Sequence, residues 1–278
     1  MPEIVNRPLF VINNLSCSYD GKEKILEIKH LAIPRGQLIF ILGASGSGKS
    51  TILETLGLMN RTFTDKSKIS FEIGKNDTKY DWEELWAHKN KRTIEKIRND
   101  HFSFIFQETN LMQNFTAYEN VCLSQMLQGV GWDDALQKAK YQMDEVKLQD
   151  IELGNKASEL SGGQKQRLSF VRAITPQYTV LFGDEPTGNL DEKTSEDLMK
   201  ILHKDVMQKN ATAIIVSHNI KLSVTFADMI IVITKQNGVG KIIDENIFYA
   251  SKNGKIKTWK DHESAEIENM ELIIKHLL

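Results

Sequence analysis

One stretch constrains this chain more than any other: Gly43-Ala44-Ser45-Gly46-Ser47-Gly48-Lys49-Ser50-Thr51. It satisfies the pattern G-x-x-x-x-G-K-[ST] at every fixed position. Gln37 to Leu42 before it is a short apolar run of buried-strand length, and Ile52, Leu53 and Leu56 after it fall on one helical face. Strand, glycine loop and helix start are the arrangement that cradles phosphate. Glycines let the backbone curl so that successive N–H groups converge on an anion. The helix adds the positive end of its dipole. In such a loop Lys49 reaches the outer phosphates and the Ser50 hydroxyl ligates Mg²⁺. The loop says what is bound and leaves open what the energy is used for.

The 278 residues are 41% hydrophobic and 26% charged, with a formal net charge of -2. That supplies a real core for one large domain or two small ones. A near-neutral chain lacks the broad basic field of a general nucleic-acid binder, so no nucleic acid is expected as partner. Cys17 and Cys122 stand in no metal-like or redox spacing, and a reducing compartment with simple packing suits both. The N-terminus has no basic segment followed by an apolar one, so it is not read as a leader. No apolar run approaches the roughly 18 residues that a bilayer span needs. A soluble protein is expected, and any membrane role then requires a separate membrane partner.

Taken in order, Phe10 to Ile12 and Ile25 to Ile28 read as two short strands around an Asp20-Gly21 turn. Ile69, Phe71 and Ile73 alternate as a strand does. Asp77 to Lys91 holds Trp82 and Trp86 at i, i+4, which predicts a surface helix whose indoles pack on the body. Lys89, Lys91, Arg92, Lys96 and Arg98 read as a solvated helix face. Phe102 to Phe106 alternates into Gln107. Thr116-Ala117-Tyr118-Glu119 fits a capping box, and Asp133 is the expected cap of the next helix. A third helix opens at Leu160-Ser161-Gly162-Gly163-Gln164, and Pro176 ends it. Tyr178 to Phe182, Ala211 to Val216 and Asp228 to Thr234 are buried-strand runs, with an amphipathic helix through Leu198, Ile201, Leu202 and Val206. Strands alternating with helices imply parallel βαβ units. A further helix is expected over Met270 to Leu278.

The second chemical signal is Val180-Leu181-Phe182-Gly183-Asp184-Glu185. A carboxylate at the end of a buried strand can hold Mg²⁺ beside a phosphate loop, and Asp184 fits that role. Glu185, one position on, can orient and deprotonate an attacking water.

Leu160-Ser161-Gly162-Gly163-Gln164 with Lys165-Gln166-Arg167 resembles the signature of the ATP-binding-cassette (ABC) ATPases. The motifs follow that family's order: phosphate loop, Gln107, signature, Asp184-Glu185, the Gly188-Asn189-Leu190-Asp191 turn, then His218. The resemblance covers roughly residues 8 to 235. It implies an α/β fold: a P-loop NTPase core with a parallel sheet, an N-terminal antiparallel β subdomain and an inserted helical subdomain at about 107–175. Residues 236–278 form an extension without a motif. Tyr19 matches the aromatic that stacks on adenine, and Gln107 a residue that ligates Mg²⁺ and senses the partner. Gly43 to Thr51 would hold the ATP. Ser161 and Gly163, within the signature Ser161 to Gln164 that also includes Gly162, would donate to the γ-phosphate of an ATP on a second subunit. His218 would hydrogen-bond the γ-phosphate, and Asp191 would lie across the dimer interface.

In that family the loop and the signature of one chain do not close on the same ATP, so with one of each the resemblance implies two chains, most simply a homodimer. The segments Gln107 to Leu111, Thr116 to Val121 and Gly183 to Asp191 resemble the branch that serves lipoprotein release, macrolide export and cell division. That branch drives an integral membrane protein from the cytoplasmic face of the membrane. Asn219, where the branch often has an acid, the 77–91 segment and the tail past 235 depart from its pattern. The competing readings are a soluble cassette ATPase acting on a non-membrane partner and a nucleotide kinase. The signature argues against the kinase, and the single cassette without zinc cysteines argues against the soluble class.

Overall fold

The computed structural model describes residues 7–64, 66–73, 78–88, 90–253, 256–259 and 267–278. Along the chain run β1 (Phe10–Cys17), β2 (Leu26–Ile33), β3 (Leu38–Gly43), α1 (Lys49–Leu56), β4 (Lys68–Ile73), β5 (Thr78–Asp81), α2 (Trp82–Ala87) and α3 (Lys91–His101). Then come β6 (Phe102–Ile105), α4 (Ala117–Leu127), α5 (Trp132–Glu145), α6 (Gly162–Ile174), β7 (Val180–Asp184) and α7 (Glu192–Lys209). The chain closes with β8 (Thr212–Val216), α8 (Ile220–Phe226), β9 (Met229–Gln236), β10 (Val239–Ile242), β11 (Ile247–Asn253), β12 (Ile256–Trp259) and α9 (Ile267–Leu277). Two compact units result: residues up to 96 together with those from 212 onward, and residues 97–211 between them. The division falls within α3.

In the first unit, β3 is buried at all six positions. It pairs in parallel with β8 on one side and β9 on the other. Parallel strands covered on both faces read as continuous apolar runs, which is why Leu38 to Leu42 shows no alternation. The expected N-terminal β layer is present and antiparallel: β1 pairs with β2 and β4, and β4 with β5. β1 and β2 are longer than the short runs that signalled them, because buried side chains such as Phe10, Ile12 and Leu15 of β1 and Leu26, Ile28 and Leu31 of β2 are separated by less buried, mostly polar positions. The tail strands join the same unit. β10 runs parallel to β2 and antiparallel to β9, and β11 is antiparallel to β9.

The segment expected as one helix over Asp77 to Lys91 divides at Asp81. Residues Thr78–Asp81 pair with β4, and the helix is Trp82–Ala87. Asp81 makes the break by capping α2, accepting from the Glu83 N–H at 2.9 Å. Asp77 and Lys89 lie outside the described residues. Trp82 packs inward as expected, fully buried. Its ring stands edge-on to Phe10 at 5.8 Å and to Phe71 at 5.7 Å, and its Nε1–H donates to the Thr55 carbonyl at 2.9 Å. Lys91, Arg92, Lys96 and Arg98 are exposed on α3, with Ile94 and Ile97 buried beneath.

The second unit pairs β6 with β7 in parallel and packs α4, α5 and α6 on one another. The Thr116 capping box forms: Thr116 Oγ1 accepts from the Glu119 N–H, and Glu119 accepts from the Thr116 N–H at 2.7 Å. Asp133 is not the cap of α5. The N-cap is Gly131, and Asp133 with Asp134 sits in the first turn, where carboxylates favour the positive helix end. Cys122 is buried in α4, and burial is the main reason its thiol is pushed up to about 11. A polar knot ties α7 to the end of α6. Tyr178 donates to Asp205, and Lys209 donates to Asp205 at 2.9 Å and to the carbonyls of Ile174 and Pro176.

Trp82→Ala is expected to lower unfolding stability by ~3–5 kcal/mol, as large aromatic deletions in cores do. Trp82→Phe should lose less, removing the indole N–H that donates to the Thr55 carbonyl. Chemical denaturation of both variants measures the difference.

Candidate nucleotide site

The first unit builds the phosphate loop from the end of β3. Gly43 is the last residue of β3 and pairs with Ile233. Gly48 takes φ +94° as N-cap of α1, a conformation that side chains rarely adopt, and a Cβ there would meet Leu26 at 3.2 Å. α1 has no side-chain cap and no acidic residue in its first turn. By contrast α4, α6 and α7 each have a capping side chain accepting from their first turn. An uncapped helix start leaves its N–H groups for an external anion. The Lys49 ammonium lies over the loop, donating to the carbonyls of Gly43 at 2.7 Å and Ala44 at 3.0 Å. Ser50 is exposed, Thr51 is buried, and the buried Ser47 hydroxyl has no hydrogen-bond partner.

Two further expected residues sit in this unit. Tyr19 is 57% exposed and anchored by its hydroxyl, which donates to Glu54 at 2.9 Å and lies 3.3 Å from Thr51 Oγ1. A ring held at its tip with open faces is a stacking platform. Glu54 is itself held by Asn60 at 2.9 Å. His218 follows β8 and is exposed. Ile41 pairs with Val216, so two residues further along the two strands stand Gly43 and His218. The histidine therefore leaves the sheet at the end where the loop begins, the end at which open α/β sheets bind ligands. Asn219, the departure from an acid, caps α8 by accepting from the Leu222 N–H at 3.0 Å, a job Asn and Asp do equally.

The second unit gathers the other expected residues. Ile105 pairs with Gly183, so Gln107 and Glu185 leave adjacent strands at the same end. Asp184 closes β7 half-buried. Glu185 adopts φ +49°, an unusual conformation for a residue with a side chain. Such strain persists only where the surroundings impose it. Here the Gly188 N–H donates back to the Glu185 carbonyl at 3.1 Å, and buried Gln166 of α6 donates to the Pro186 carbonyl at 2.9 Å. The turn ends at exposed Asp191, which caps α7 through Thr194. Those bonds hold its carboxyl below the usual carboxylate range.

The signature opens α6 as expected, and the structure adds why. Ser161 is the N-cap: its Oγ accepts from the Gln164 N–H at 3.3 Å, and Gln164 Oε1 accepts from the Ser161 N–H at 2.9 Å. Capping uses a lone pair of the hydroxyl and leaves its proton to donate. Ser161 and Gly162 are exposed, with open space around Gly162. Arg172 was not singled out by its sequence position. From the far end of α6 it donates to the carbonyls of Thr109 at 2.9 Å and Asn110 at 2.7 Å, holding the loop that follows Gln107. Its only sequence signal is its place on α6, one helical turn past Leu168.

The Mg²⁺ donor set named from the sequence is one hydroxyl (Ser50), one amide (Gln107) and one carboxylate (Asp184). These are hard oxygens, as magnesium takes when phosphates and water complete its shell. Among the described residues no cluster of three or more His, Cys, Asp or Glu side chains forms a metal cage.

The ABC transporter family profile matches residues 26–188, more than half of the chain. The chain belongs to the ABC transporter ATPase family. It is 32% identical over 222 residues to the lipoprotein-releasing system ATP-binding protein LolD of Rickettsia conorii, covering 79% of this chain and 92% of that protein. It is 36% identical over 208 residues to the macrolide export ATP-binding/permease protein MacB of Neisseria meningitidis, covering 75% of this chain and 30% of that protein. Among solved structures it resembles MJ0796, a bacterial ABC transporter cassette seen as a dimer, with TM-score 0.70 and 29% identity over 83% of this chain and 96% of that one. A post-hydrolysis form of MJ0796 with ADP and Pi superposes with TM-score 0.71, at 28% identity over 83% of this chain and 96% of that one. The protein is an ABC ATPase that binds and hydrolyses ATP. Tyr19 and His218 lie outside the span that the family profile matches.

Ser161→Ala should remove the cap of α6 and lower stability by ~1 kcal/mol, the usual worth of such a cap. Thermal unfolding of the purified chain reads this, and a midpoint equal to the parent's would show that the box does not brace the helix.

Proposed function

We propose that this chain is the energy-supplying subunit of a membrane machine. It pairs with a second copy of itself around two ATP–Mg²⁺, and the closing and opening of that pair drives a conformational change in an integral membrane partner at the cytoplasmic face. The observation that carries this reading is the likeness to LolD over 92% of that protein's length. The MacB relative, named as both ATP-binding protein and permease, supports the same coupling. No helix among the described residues is long and apolar enough to cross a membrane, which is compatible with a separate membrane subunit.

In this reading Gly43 to Thr51 hold the phosphates and Tyr19 carries the adenine. Ser50, Gln107 and Asp184 hold Mg²⁺, which when bound neutralises charge on the transferring phosphoryl group. Glu185 accepts the proton of the attacking water, and His218 donates to the γ-phosphate. Ser161 and Gly163, in the signature with Gly162 and Gln164, donate to the γ-phosphate of the ATP carried by the other copy. Each half-site then has no hydrolytic competence by itself, which couples turnover to dimer closure. The dimeric MJ0796 cassette supports this arrangement.

Glu185→Gln should keep ATP binding while phosphate release falls ~10²–10⁴-fold, the range lost with a positioned base. With ATP and Mg²⁺ it should sediment as a dimer; a monomer under saturation, in the free chain and in its membrane complex, would end the pairing proposal. Lys49→Ala should abolish productive nucleotide binding, read by equilibrium binding of ATP. Co-purification from detergent extracts identifies the membrane partner.

A further inference from the structure

The phosphate loop is held from outside by a part of the chain that carries no motif. β9 runs parallel to β3 with Gly43 opposite Ile233, so two residues further along each chain stand Ser45 and Lys235. The Lys235 ammonium donates to the Ser45 carbonyl at 3.0 Å and would lie 3.3 Å from a Cβ at Gly46. At Asn237 and Gly238, both at positive φ, the chain turns back. β10 then lays Gly240 on the loop: a Cβ there would fall inside the contact radius of the Ser47 carbonyl oxygen. The Gly240 N–H donates to the Ile25 carbonyl at 2.9 Å, and Gly240 pairs in register with Leu26, the residue that abuts Gly48. The hairpin thus touches the loop at Ser45 and Ser47, and its partner strand touches it at Gly48.

We propose that the β9–β10 hairpin is part of the ATP site, with Lys235 as a positioning residue for the phosphate loop and Gly240 as its steric complement. This rests on the reading of Gly43 to Thr51 as the ATP loop. The peptide unit is planar and trans, so its C=O and the following N–H point in opposite directions. An ammonium holding the Ser45 carbonyl outward turns the Gly46 N–H inward, towards the phosphates. The bond is charge-assisted, and so among the stronger single contacts available to a surface loop. The bond therefore fixes the loop orientation that the anion needs, and the ammonium adds a second positive charge near that anion beyond Lys49. Gly240 admits the hairpin backbone close enough for Lys235 to reach.

The test uses the full chain with Lys235→Ala, Lys235→Arg and Gly240→Ala, comparing ATP affinity, steady-state phosphate release and the unfolding midpoint without nucleotide. Lys235→Ala should raise KM and Kd for ATP about tenfold, because ATP must then order the loop that the ammonium held. Its kcat should stay within about twofold of the parent's, because the contact serves ground and transition states alike. Lys235→Arg should recover most of the affinity, and Lys235→Ala should leave the nucleotide-free midpoint in place, since the side chain is exposed. Gly240→Ala should show the same affinity loss, larger, with a lowered midpoint. A Lys235→Ala variant with parental KM and Kd overturns the proposal, as does one whose affinity loss is matched by a fallen midpoint and not rescued by Arg. A parent chain that binds no ATP overturns instead the reading of the loop itself, and the two failures are distinct in the same data.

Discussion

The nucleotide end of the first unit depends on one strand. β3 is buried at every position and hydrogen-bonded in parallel to β8 and β9, so its backbone has no freedom to slide. A parallel ladder aligns the carboxyl ends of its strands, and the chain segments leaving those ends are forced into proximity. The phosphate loop leaves β3, His218 leaves β8 and Lys235 lies at the end of β9. A one-residue shift of β3 would turn its side chains over and separate all three. The apolar content of Leu38 to Leu42 is therefore what makes the site a site, although those residues precede the loop itself.

The second unit solves a different problem, holding polar loops in fixed shapes. α6 does most of this. Its start is closed by the reciprocal Ser161–Gln164 bonds, its middle pins the turn after Glu185 through Gln166, and its end fastens the loop after Gln107 through Arg172. One helix thus carries the signature and holds the chain next to the proposed base and next to the glutamine proposed to ligate Mg²⁺. That helix starts at the signature and bonds Pro186, Thr109 and Asn110, neighbours in sequence of Glu185 and Gln107, and the positive φ of Glu185 marks how firmly its turn is imposed.

Much of this was legible in the chain itself, for reasons particular to each element. The phosphate loop announces itself because glycine spacing, a flanking apolar run and a helical face coincide within about twenty residues. The Thr116 capping box forms because its two bonds are local, three residues apart. The break at Asp81 was hidden, because Asp caps and Asp in a helix look alike until β4 offers its edge to Thr78–Asp81. Asp133 misled for a similar reason: a favourable first-turn carboxylate and a cap share one residue type. The tail looked motif-free and is so by sequence, yet its hairpin lies on the phosphate loop.

The sequence by itself determined that this is an ABC ATPase. Motif identity and order are one-dimensional properties, and the chemistry of phosphate, magnesium and water demands those residue types near one another along short stretches. Only the tertiary structure decided which distant residues support them: Trp82 under Phe10 and Phe71, Arg172 on the Thr109 and Asn110 carbonyls, Lys235 and Gly240 on the loop. Those contacts join positions from eleven to nearly two hundred residues apart, and they are set by strand register and close packing, which no local pattern encodes.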